Sequence, residues 1–119
     1  MSMTTKVMIA GWNHHPGADA ALQLMEREFL KNSHLRLVLR REPDNKFDGN
    51  AVAIHSAYGT KLGYVPRGDA RTVARVMDAG VQVRARYDGK TTAKLWWPAA
   101  TREGVDEAYR RAMFEGEGI

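Results

Sequence analysis

A chain of 119 residues with 44% apolar side chains has material for one domain, and enough of it to bury a core without staples. The absence of cysteine excludes a disulfide framework and thiolate metal sites, and no apolar run is long enough to read as a membrane span. The net charge of +4 is concentrated: residues 35–94 hold twelve basic side chains against six acidic ones, a bias that favours a polyanionic partner.

The start, Met1 to Lys6, lacks the charged and then apolar pattern of a signal peptide, so the chain reads as cytoplasmic. Lys6 to Trp12 is a short apolar run with β character, broken by the turn Asn13-His14-His15-Pro16-Gly17. From Ala18 to Phe29 the period becomes helical, with Ala21, Leu22, Met25 and Phe29 on one face. Leu35 to Arg41 is a strand whose Leu35, Leu37 and Leu39 alternate inward.

Glu42 to Asn50 is a loop by its chemistry, because Asp44, Asn45, Asp48 and Asn50 bond readily to nearby amides and Pro43 fixes its own φ. Strands follow at Ala51–His55 and Lys61–Val65, joined by Tyr58-Gly59-Thr60, and Pro66 stops the second. Asp69 to Ala79 is a helix with Gly80 at its C-terminal cap. Val81 to Tyr87 alternates most clearly, with Gln82, Arg84 and Arg86 outward, and Asp88-Gly89 makes a tight hairpin turn into the strand Thr91–Trp97. Thr101 caps a final amphipathic helix over about 101–114. The expectation is a mainly β domain with inserted helices (α+β), a small OB-like or SH3-like barrel whose helices cover its edges, occupying 1–119 with its core at 6–97.

The stretch Arg41–Ile54, REPDNKFDGNAVAI, is followed by Gly59-Thr60-Lys61-Leu62-Gly63-Tyr64-Val65-Pro66-Arg67 and a helix ending in Asp78-Ala79-Gly80. Together with the upstream Ala10-Gly11 and its aromatic-rich turn, this order of segments resembles the HIRAN domain over residues 6–97. The resemblance implies an OB-like barrel that binds single-stranded DNA at its 3′ end, found in helicase-like proteins and as stand-alone bacterial and phage-type members. It also implies roles by position. Phe47 stands where a loop aromatic stacks on the terminal base, and Asp48 where a carboxylate accepts from the free 3′-hydroxyl. His14 and His15 take the aromatic pair of the first turn, Tyr64 and Arg67 the polar-aromatic and basic positions of the third segment. Tyr87 lies near another expected stacking aromatic. Phe47 and the two histidines depart from the tyrosines usual at those places, which bears on affinity more than on fold. No helicase or zinc-binding pattern accompanies the motif.

The residues themselves leave alternatives open. Arg84 and Arg86, beside Lys61, Arg40 and Arg41, can line a phosphate-binding groove or merely solubilise a surface. Phe47 either plugs the barrel end or stacks on a base; Asn45 and Asn50 are loop staples or ligand contacts; Tyr64 and Tyr87 are core aromatics or site aromatics. Of Trp96 and Trp97, one faces the core and the other is free to serve as a platform. His14 and His15 point apart in an extended chain, so no metal or other cofactor is expected. The reading is a non-catalytic module for single-stranded DNA or its ends, working with a helicase or nuclease partner. Its rivals are an SH3-like peptide-binding barrel and a metal-dependent nuclease using Asp44, Asp48 and His55.

Overall fold

The computed structural model describes residues 2–98, so the expected C-terminal helix at 101–114 lies outside the described residues. Six strands, β1 (Ser2–Met8), β2 (Arg36–Arg41), β3 (Val52–Ser56), β4 (Lys61–Tyr64), β5 (Arg84–Tyr87) and β6 (Thr92–Pro98), form one sheet in the order β1-β6-β5-β2-β3-β4. Every pairing is antiparallel. The sheet curls into a half-barrel of the OB-like kind, with helices α1 (Ala18–Phe29) and α2 (Arg67–Asp78) against it. Alternating apolar residues of the strands supply the core: Val7, Leu37, Ile54, Leu62, Ala85, Tyr87 and Leu95 are buried together with Leu22 of α1 and Val73 of α2.

The helical period over Ala18–Phe29 and the loop chemistry over Glu42–Asn50 are realised in the folded chain. Three sequence expectations need correction. The first strand runs Ser2–Met8 instead of Lys6–Trp12, because its polar start pairs along the whole of β6 from Pro98 to Thr92, and residues 12–14 coil into a 3-10 turn. β5 is shorter than Val81–Tyr87: it meets β2 only at Arg36↔Arg86 and Leu37↔Ala85, beyond which the two strands diverge and residues 81–83 stay unpaired. The β5–β6 connection is not a two-residue turn at Asp88-Gly89. Asp88 N–H donates to Thr92 O at 2.9 Å, and the loop between them holds Gly89 at φ 92 and Lys90 at φ 52.

The barrel closes at one point. Past β1, Ile9 N–H donates to Thr91 O at 2.7 Å, and Ala10 exchanges two backbone hydrogen bonds with Tyr64 of β4, Ala10 N–H to Tyr64 O at 2.8 Å and Tyr64 N–H to Ala10 O at 2.9 Å. That approach requires a glycine next door: a Cβ on Gly63 would overlap the Ala10 carbonyl oxygen and lie 2.8 Å from Ile9 Cγ2. Gly63→Ala should therefore lower the unfolding free energy by about 1–3 kcal/mol, the usual cost of overpacking. Urea unfolding measures it, and an unchanged midpoint would show that β4 can back away from Ala10 freely.

Candidate functional site

The loop between β2 and β3 is held at its root by Arg41. Its guanidinium donates to Asp78 Oδ1 and Oδ2 (2.9 and 3.2 Å), to Ala51 O (2.8 Å) and to Gly49 O (3.1 Å), tying the loop to the end of α2. An arginine fork satisfied this way is a structural clamp, and Arg41 is spent on the protein itself. Asn45 is the inner staple: its Oδ1 accepts from Phe47 N–H (2.9 Å) and Asp48 N–H (3.1 Å), and its Nδ2 donates to Glu42 Oε1 (3.1 Å).

These bonds set the tip of the loop. Phe47 is 86% exposed and does not plug the barrel end. Asp48 uses Oδ1 to accept from Asn50 N–H (2.9 Å), while Oδ2 lies 3.8 Å from Arg67 Nε. Arg67, at the start of α2, donates Nη2 to Phe47 O at 2.8 Å. An exposed aromatic face, a carboxylate oxygen with spare acceptor capacity and a guanidinium therefore stand together on one loop–helix junction.

The rest of the cluster adjoins it through Glu42. Glu42 accepts from Asn45, from Tyr64 Oη (2.8 Å) and from Lys61 Nζ (2.8 Å), and Lys61 also donates to Tyr64 Oη at 2.6 Å. Lys61 and Tyr64 can share a partner because the β3–β4 register shifts between Ile54 and His55, a bulge that places two residues three apart on one side. Partial burial opposes ionisation of Glu42, but the hydrogen bonds from Lys61, Asn45 and Tyr64 prevail and hold its pKa down to about 2. Desolvation likewise works against the Lys61 ammonium, yet its bonds to Glu42 and Tyr64 raise its pKa. The His15 ring packs 5.5 Å from the Tyr64 ring, and burial followed by the charge of Lys61 lowers its pKa, so it is neutral at pH 7. His14 is exposed beside it.

Of the sequence-derived candidates, His14, His15, Asn45, Phe47, Asp48, Tyr64 and Arg67 thus fall on one contiguous surface. Tyr87 does not. It is fully buried, edge-on to Phe29 at 5.5 Å, with its hydroxyl bonded to Glu26 and to Lys90 O, and burial followed by Glu26 raises its pKa. It cannot stack on a base. Arg84 and Arg86 lie elsewhere too, lining a cleft of about 760 Å³ where β2 and β5 diverge. Among the described residues no three histidine, aspartate or glutamate side chains converge, so Asp44, Asp48 and His55 form no metal cage. Glu42 was absent from the sequence candidates; its place before Pro43 in the motif is the one signal that marked it.

With this geometry established, similarity to known proteins can be placed on it. The HIRAN domain family matches residues 3–98. A 47-residue stretch is 36% identical to the helicase-like transcription factor of Mus musculus; it covers 40% of this chain and 5% of that protein, so the chain spans a small fraction of that relative's length. Among solved structures, a Lactobacillus plantarum protein superimposes with a TM-score of 0.65 at 22% identity, covering 82% of this chain and 97% of the other. The HIRAN domain of human HLTF gives 0.59 at 18% identity, with 93% and 88% covered. The same HLTF domain in its DNA-bound conformation gives 0.54 at 18% identity, with 93% and 87% covered.

The Glu42 network carries a pH dependence of known sign. A carboxylate held near pKa 2, against an ordinary 4.5, contributes stability that is complete above pH 4.5 and is lost as pH falls towards 2. Between pH 5 and 2.5 the melting temperature of Glu42→Gln should fall less than that of the unsubstituted protein, as read by circular dichroism. Parallel curves would remove Glu42 from the acid response.

Proposed function

Because the chain belongs to the HIRAN domain family, we propose that it is a non-catalytic module that binds the end of a single DNA strand at the Phe47–Asp48–Arg67 surface. The observation that carries this reading is the pairing of an 86% exposed Phe47 with Asp48, whose Oδ2 accepts no hydrogen bond among the described residues and faces Arg67 at 3.8 Å, the backbone amides of both residues being held by Asn45. The terminal base stacks on the Phe47 ring, an interaction worth about 1–3 kcal/mol that any base can make. The free 3′-hydroxyl donates to Asp48, whereas a 3′-phosphate would meet its charge at close range. Arg67 draws the last internucleotide phosphate, and His14 and His15 offer ring faces to the next base, with burial and then Lys61 lowering the pKa of His15.

The fold of the DNA-bound HLTF domain, shared over 93% of this chain, supports the ligand class. Among the described residues no three histidine, aspartate or glutamate side chains are placed to hold a metal ion. Such a module hands a strand end to a helicase or nuclease partner.

Anisotropy titration with a short strand ending in a 3′-hydroxyl, against the same strand ending in a 3′-phosphate, tests the reading. The hydroxyl form should bind roughly tenfold tighter or more, the scale of a hydrogen bond to a charged acceptor. Asp48→Asn, which keeps an oxygen for Asn50 N–H, should erase the preference, and Phe47→Ala should weaken both forms by about 1–3 kcal/mol. Equal affinity for the two ends in the unsubstituted protein would sink end recognition.

A further inference from the structure

The strand registers place four cations in one row. Lys6 of β1 is opposite Lys94 of β6, Lys94 is opposite Arg86 of β5, and Arg86 is opposite Arg36 of β2. Residues directly opposite share a face, and alternation sets this row on the face turned away from the core, since Val7, Ala85, Leu95 and Leu37 beside them are buried. Like charges in that relation destabilise a sheet. Here the repulsion is barely relieved: Lys6 reaches Asp88 at 2.8 Å, but Lys94 and Arg36 have no acidic partner among the described residues. The guanidinium of Arg86 lies 5.9 Å from the Trp96 ring, and its Nε is buried without a hydrogen-bond partner among those residues. In the neighbouring row Arg84 stands opposite Trp96, and the cleft that Arg36, Arg84, Arg86 and Trp96 share contains no carboxylate in its lining.

We infer that this row is a second binding site, one that holds the sugar-phosphate backbone of a single-stranded nucleic acid across β1, β6, β5 and β2, with Trp96 as a stacking platform. It goes beyond the end-binding surface, which is built from β4, the 42–50 loop and the start of α2, and rests on that reading only for the class of ligand. Strands about 4.8 Å apart turn the row into a track some ~14 Å long, a periodic line of charge suited to a polyanion. The half-buried Trp96 beside a guanidinium favours a nucleic acid over an acidic peptide, because bases add stacking to charge pairing. The end surface contributes little net charge of its own, since Glu42 cancels Lys61 and Asp48 faces Arg67. Non-specific grip must come from elsewhere, and the row supplies it.

A circular single-stranded oligonucleotide, which has no 3′ end, separates the two sites. The unsubstituted protein should bind it at low salt. The combined variant Arg84→Ala, Arg86→Ala, Lys94→Ala should bind it about tenfold or more weakly, with the slope of log affinity against log salt shallower by about 2, three cations at roughly 0.7 each. The variant's melting temperature should be unchanged or higher, because cross-strand repulsion has been removed; a merely structural role predicts a lower one. Failure of the circle to bind, an unaltered salt slope in the variant, or equal competition by polyglutamate would each overturn the inference. The 3′-hydroxyl preference reports on the end surface alone, so failure of one site is distinguishable from failure of the other.

Discussion

Two backbone hydrogen bonds between Ala10 and Tyr64 connect the first strand to the last neighbour in the sheet, and most of the molecule is arranged around them. They turn an open six-stranded sheet into a closed half-barrel, which removes the need to protect two facing edges along part of their length. They also bring the turn that carries His14 and His15 onto β4, where the His15 ring meets Tyr64. Fold closure and site assembly are therefore one event. The small side of the contact is Gly63, and the other side is the Ala10 backbone and Ile9, which is 1% exposed in the core.

From that junction the order of the site passes outward through polar bonds. Tyr64 and Lys61 hold Glu42, Glu42 holds Asn45, and Asn45 holds the amides of Phe47 and Asp48. Arg41 fixes the opposite side of the same loop through Asp78 and two carbonyls. An exposed phenylalanine at a loop tip would ordinarily sample many positions and lose binding energy to ordering. With its own amide and its carbonyl both bonded, the Phe47 backbone is fixed by the fold itself.

How far the sequence could reveal this depends on whether the relevant physics was local. Helix α1 was legible to the residue because its apolar stripe repeats with the helical period and Gly17 precedes it. The 42–50 loop was legible because asparagine and aspartate bond to amides two or three residues away. The OB-like architecture came from the resemblance of the motif, since strand order cannot be derived from alternation. What stayed hidden were contacts made across the fold. Tyr87 alternates like any strand residue, and only its partner Glu26, 61 residues away, shows it to be a buried anchor of α1. The bulge that lets Lys61 and Tyr64 face Glu42 breaks the very alternation by which a strand is recognised. Arg41 reads as a free cation until Asp78, 37 residues on, is folded against it.

The cationic row was hidden for the same reason, as it exists only once four strands are in register. Its physical meaning follows from a contrast within this one molecule. At the 42–50 loop Glu42 pairs with Lys61, and Arg41 likewise has Asp78. Across β1, β6, β5 and β2 it leaves Lys94, Arg86 and Arg36 facing one another, although the β-sheet penalises that arrangement at every step. A chain that neutralises its cations where they support structure, and aligns them unneutralised on a solvent-facing sheet, has separated the charges that hold it together from the charges that remain available to an anionic partner.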